Sequence, residues 1–134
     1  MAGQPTTQNW LVTKTFKSAG DESSNQYKLM KLDASGDILI CSGVTDVPVG
    51  VLLNKPDAAG KAALIGMLGI GFALGAAALN EFDLVGTDGS GLLDAKIPGT
   101  DTTEFAVGQV LQGSTAANDL VVCSFNFMNP HRAA

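Results

Sequence analysis

The sequence predicts an all-β fold: a small barrel or sandwich built from two duplicated β units, with at most one short helix. Three observations predict it. Short apolar runs recur at intervals of roughly ten residues, punctuated by Gly, Asp and Pro. No stretch sustains the i, i+3, i+4 spacing of an amphipathic helix. The chain also matches itself at an offset of 55 residues.

The repeat is read without a gap. "GDESSNQYKLMKLDASG" (residues 20–36) lies over "GAAALNEFDLVGTDGSG" (residues 75–91). Gly20, Asn25, Leu29, Asp33, Ser35 and Gly36 meet Gly75, Asn80, Leu84, Asp88, Ser90 and Gly91, and Tyr27 meets Phe82. Turn residues fall on turn residues, which is the mark of a duplicated unit. Downstream the match resumes with three extra residues in the second copy, so that Gly50 meets Gly108.

The elements follow in order. Residues 1–8 are polar and carry Pro5, which reads as a flexible N-terminal arm. A single β domain covers residues 9–128, its copies spanning about 9–61 and 62–128. "WLVTKTF" is a strand, and "YKLMKLD" and "DILICS" flank an "ASG" turn. "VPVGVLLN" follows, with Pro48 suited to a strand start or edge. "AALIGML" and "IGFAL" are two strands joined by a glycine-mediated bend. "EFDLVGTD" and "LLDAKI" flank the "GSG" turn. "FAVGQVLQG" and "LVVCSFNFM" complete the set, and residues 129–134 form a polar tail. "GAAALNE" is the one helical candidate.

Residues 62–79 contain no charge and no hydrogen-bonding side chain, and Gly71 and Gly75 form a GxxxG pair. Such a run is a candidate membrane helix. The repeat argues against it, because the second half of the run aligns with "GDESSNQ", a water-accessible sequence. Gly66, Gly69, Gly71 and Gly75 each weaken a helix by about 1 kcal/mol in water. At 1.5 Å per residue the run spans only about 27 Å. It reads as strand, and no membrane partner is expected. The same alignment leaves Ala76, Ala77, Ala78 and Leu79 as an apolar patch that needs covering by another subunit.

Hydrophobic residues make up 46% and charged residues 16%, which implies much buried or shared surface. A net charge of −5, with Lys and Arg scattered, disfavours a nucleic-acid partner. The start lacks the basic and apolar regions of a secretory signal. Cys41 and Cys123 sit within strand-like runs and read as buried free thiols.

A catalytic set is missing. The single histidine, His131, lies near the end of the sequence, and nothing supplies a nucleophile–base–orienter constellation. "TDGSG" faintly resembles a calcium loop but lacks the alternating oxygen ligands and closing Glu. Asp33 and Asp88 instead read as carboxylates that accept turn N–H groups. "GIGFALG" shares only glycine density with a dinucleotide fingerprint. Neither an enzyme nor a cofactor or metal site is expected. Trp10 and Leu11, at the root of the arm, are candidate anchors to a partner.

The phrase "SAGDESSNQYKLMKLDASGDILICSGVTDVPVGVLLN" resembles the small head decoration, or capsid cement, proteins of tailed bacteriophages. The resemblance rests on an apolar hairpin with an internal "D-x-x-G", then a "Pro/Ala-Val-Gly-apolar" strand. Leu29, Asp33, Gly36, Pro48, Val49 and Gly50 carry it in the first copy. Leu84, Asp88, Gly91, Ala106, Val107 and Gly108 carry it in the second. It covers about residues 15–126. It implies a small β-rich structural protein, a homotrimer at local threefold positions on the outer surface of a phage head. The implied partners are the major capsid protein and itself. Such a protein is made in the host cytoplasm and localised to the virion. Two other classes stand beside this reading: a phage-borne β binding module such as a head-fibre base, and a small membrane-anchored protein.

Overall fold

The computed structural model describes residues 8–134. Every regular element among them is a strand, and none is a helix. The strands are β1 Asn9–Lys17, β2 Leu29–Leu32, β3 Ile38–Ile40, β4 Gly50–Leu52, β5 Ala62–Leu74 and β6 Leu84–Thr87. They continue as β7 Leu93–Ala95, β8 Phe105–Ala106, β9 Gly108–Gln112, β10 Leu120–Asn126 and β11 His131–Arg132. Nine form one sheet in the order β3-β2-β4-β5-β10-β9-β6-β7, with β1 pairing β5 beside that path. The sheet curls into half of a barrel, and β8 with β11 makes a small second sheet.

The two halves make matching hydrogen bonds. Asp33 Oδ1 accepts the N–H groups of Ser35 and Asp37, both at 2.9 Å. Asp88 Oδ1 accepts those of Ser90 and Leu92, both at 2.8 Å. Gly36 and Gly91 close these turns at φ 80° and 77°, which glycine adopts without steric cost. Tyr27 donates its N–H to Leu52 O and Phe82 to Val110 O, and both residues have positive φ. Val49 N–H meets Met30 O as Val107 N–H meets Val85 O, each at 2.8 Å.

One stretch corrects the ungapped alignment. Ser18 N–H donates to Lys61 O, and the matching bond joins Gly75 N–H to Asp119 O. Glu22 N–H donates to Pro56 O, and the matching bond joins Leu79 N–H to Ser114 O. "SAGDE" therefore corresponds to "GAAAL", and Ser23 and Ser24 have no counterpart. Leu79 matches Glu22, and both side chains are buried, at 4% and 6% exposure. Leu79 was expected at a subunit interface. It lies in the core of its own chain, because two missing loop residues shift the register. "GAAALNE" forms no helix; its ends are held by bridges from Gly75 to Leu93 and from Leu79 to Ser114.

Residues 62–74 are a single strand of 13 residues rather than two strands and a bend. β5 pairs β1 from Ala62 to Ile70, β4 through Ile65 and Gly66, and β10 from Leu68 to Leu74. The glycines distort the ladder without ending it: Gly69 has φ 138°, and the β1 register shifts opposite this region. They also make room. A methyl group on Gly66 would lie 2.6 Å from Trp10 Cδ2, and one on Gly71 would lie 2.2 Å from Cζ2. The indole rests on these two glycines and stacks on Phe125, with centroids 5.6 Å apart and planes 9° apart. Phe125 stacks in turn on Phe127 at 5.0 Å.

Two cores result. Met30, Ile38, Leu52, Ala63 and Ile65 fill the first half. Their counterparts Val85, Leu93, Val110, Val121 and Cys123 fill the second, in a cluster that extends to Leu29, Cys41 and Val51. Gly50 and Gly108 serve the same purpose in each. A methyl on Gly50 would be 2.2 Å from Ile65 Cγ2, and one on Gly108 would be 2.7 Å from Phe125 Cδ1.

Cys41 and Cys123 are buried and free. Burial pushes both thiols up, Cys41 to about 12 against a small opposing hydrogen bond from Thr87.

The expected tail, residues 129–134, belongs in part to the fold. His131 pairs with Ala106 and Arg132 with Phe105. Ala133 is buried, and its N–H donates to Glu104 O at 2.8 Å. Backbone pairing asks little of side chains, so polar residues concealed this strand.

Gly71→Val should drive a side chain into the indole and lower the unfolding free energy by about 1–3 kcal/mol in urea titration. Leu11→Ala, at a position 73% exposed, should change it by no more than about 0.5 kcal/mol. The thiols give a second test. A folded pKa raised above the ordinary value of 9.0 favours folding while the thiol stays protonated, and that contribution fades as pH rises through the folded value. Both thiols should resist alkylation at pH 8 until urea unfolds the chain. The urea midpoint should fall as pH is raised from about 9 towards 12.

Candidate functional site

Among the described residues, no three His, Cys, Asp or Glu side chains gather to hold a metal ion. His131 is exposed, and its ring nitrogen approaches only Asn129 Nδ2, at 3.4 Å. The thiols are held protonated and away from solvent, so neither is a nucleophile. The Asp33 and Asp88 carboxylates are engaged by their own turns.

Two ion-paired clusters are found among the described residues. The Lys96 ammonium is fully buried and donates to Thr87 O at 2.8 Å, Asp94 Oδ2 at 3.3 Å and Glu104 Oε1. Its donors are all used in tying β7 to the loop before β8. Breaking such a group by removing one partner is strongly destabilising, which makes it a structural fixture. Lys31 Nζ meets Asp46 Oδ2 at 2.9 Å on the opposite half. Burial pushes the Asp46 carboxyl up, but Lys31 and the N–H groups of Ser42 and Gly43 outweigh it and hold the group below the usual range.

The sequence-derived contact residues fall in different places. Trp10 is half-buried in the aromatic stack rather than presented to solvent. Leu11 beside it is 73% exposed. Ala76 is half-buried, Ala77 and Ala78 are exposed, and Leu79 is internal. Of the arm, residues 1–8, only Gln8 lies within the described residues. Its Oε1 accepts the Trp10 indole N–H at 2.9 Å and the Phe72 N–H at 3.2 Å. No helix among the described residues is long and apolar enough to cross a membrane.

What sequence reasoning missed is a surface on the second half. Phe82 is 78% exposed, Ile97 58% and Leu84 37%. Beside Leu84 runs an open, largely apolar groove lined by Ala106, Gly108, Phe125, Asn126 and His131. Its floor is strands β9 and β10, which pair through Phe125 and Gly108. The sequence did hold a signal, since Phe82 matches Tyr27. Tyr27, however, packs edge-on against Phe72 at 5.3 Å, and the match gave no reason to expect the two rings to differ in exposure.

No protein-family model matches the chain, and no curated protein does. Among solved structures, a match is found with the N base of the head fiber gp8.5 of bacteriophage phi29. The TM-score is 0.61 at 16% identity, over 87% of this chain and 94% of that one. At that identity the likeness is one of architecture, and this chain has the fold of that head fiber base.

Proposed function

We propose that this chain is a non-enzymatic structural protein of a phage head. It binds the outer surface of the shell as a decoration, or cement, protein and stabilises it. It acts as a homotrimer at local threefold positions, with the major capsid protein as its partner. It takes no cofactor and binds neither nucleic acid nor membrane. The observation that carries the reading is the fold shared with a head fiber base across nearly the whole of both chains. The duplicated hairpin phrase supports it independently. So does the character of the surface, where apolar side chains are exposed on strands.

A second reading has a specific observation in its favour. The matched structure is itself the base of a head fiber, so this chain is on that reading the foot of a fiber rather than a cement. The two differ in occupancy: a cement saturates the shell's local threefold positions, whereas a fiber base fills a smaller set.

Mixing the purified chain with expanded empty heads of its phage tests both. Co-sedimentation that saturates at the number of local threefold positions, with heads that break at a higher temperature, is the outcome for a cement. Saturation at fewer sites, without added heat resistance, favours the fiber base. No co-sedimentation at any ratio removes both. Deleting residues 1–7 should leave the melting temperature of the free chain nearly unchanged and weaken co-sedimentation. Equal head binding by the truncated chain would rule out a contact by the arm.

A further inference from the structure

The two halves match in their hydrogen bonds but differ in what covers them. In the first half, Leu29 is fully buried. Its N–H donates to Gly91 O at 2.7 Å, in the turn between β6 and β7. That turn lies against β2 and the end of β3. A methyl on Gly91 would meet Ile40 Cγ1 at 2.6 Å, and one on Gly89 would be 3.8 Å from Ser42 O. Thr87, at the start of the turn, is 1% exposed. The second half's turn thus plugs the first half's outer face.

Among the described residues the equivalent contact is met only in part: Lys96, the counterpart of Cys41, is buried against Thr87 O, Asp94 and Glu104 of its own half. Leu84, Ala95 and Ile97 are the counterparts of Leu29, Ile40 and Ser42. No turn covers them: Leu84 is 37% and Ile97 58% exposed. The turn between β2 and β3 is the counterpart of the plug. Leu32, in the place of buried Thr87, is 41% exposed, and nothing lies within 4 Å of a methyl on Gly36. One unused plug and one unused socket remain on each copy, and the exposed apolar side chains mark both.

We propose that copies of this chain associate head to tail, the β2–β3 turn of one copy docking on the Leu84–Ile97 face of the next. Gly36 takes the role of Gly91, its carbonyl accepting the Leu84 N–H, and Leu32 covers the apolar face. Because β5 serves both halves, a neighbour repeating the whole half would set its β1 on β10. The repeated contact is therefore the turn alone. Plug and socket are different surfaces, so the interface is heterologous and propagates until a ring closes. The inference rests on the self-association within the proposed function and on nothing about the capsid.

The test contains no heads, so its failure leaves shell binding standing. Leu32→Asp removes the plug and Leu84→Asp the socket, with Ile97→Asp as a second socket variant should Leu84→Asp fail to fold. Thermal melts confirm folding, and light scattering reads the mass. The parent chain should form a closed oligomer, and each variant alone should be monomeric, its association weakened about tenfold or more. An equimolar mixture of a plug variant and a socket variant should form dimers and stop there. One intact junction can be made between them, and neither free end can extend it. A monomeric parent chain, folded variants that keep the parent mass, or a mixture that stays monomeric would each overturn the proposal.

Discussion

The contact on which the rest depends is the Trp10 indole lying on the glycine floor of β5. Strand β5 has three partners: β1 lies along one edge from Ala62 to Ile70, while β4 and then β10 take the other. The ladder to β1 is irregular opposite Gly69, and the indole lies over the bare faces of Gly66 and Gly71. Phe125 and Phe127 then carry the stack onto β10 and beyond. A large aromatic side chain here contributes both its buried area and a stacking term of about 0.5–1.5 kcal/mol. It joins the first strand of the domain to the last long one.

Much of the fold was legible in the sequence because its signals are local. Turns need Asp and Gly at fixed offsets, and "DASG" and "TDGSG" supply them. Alternating apolar residues place β10. The class of fold and most of the strands follow from such features. What did not follow was long-range or sequence-tolerant. β11 is made of His131 and Arg132, which carry no strand signature. β5 runs through its glycines because the partners hold it, although glycine alone argues for a break. The two-residue gap at Ser23 and Ser24 was invisible because an ungapped alignment already gave matching glycines at Gly20 and Gly75. That one slip moved Leu79 from the core to the surface in the sequence reading. The candidate surface was harder still, since exposure of Phe82 and Leu84 depends on what packs over each half.

The likeness of the two halves bears on the proposed structural role. The halves keep matching turns and matching core positions. They diverge at their outer faces, where Leu29 meets Leu84 and Cys41 meets Lys96. In the first half that face was closed by apolar packing. In the second, Lys96 replaces the thiol and its charge is neutralised by Asp94 and Glu104. Sequence divergence thus tracks the covering of each face rather than its backbone.

The sharing of β5 also governs how the chain assembles during synthesis. Strands β1 to β5 form a block with its own core once β5 has left the ribosome, and that block can settle first. It does so with the Leu68–Leu74 segment of β5 awaiting β10, which is made about 50 residues later. At elongation rates of about 5–20 residues per second the exposed backbone and its apolar neighbours stand open for seconds. An unpaired apolar strand is a template for pairing with another chain. Gly69 and Gly71 blunt that template, since glycine in a strand interior weakens pairing. The glycines that seat the indole in the finished protein therefore also guard the nascent one.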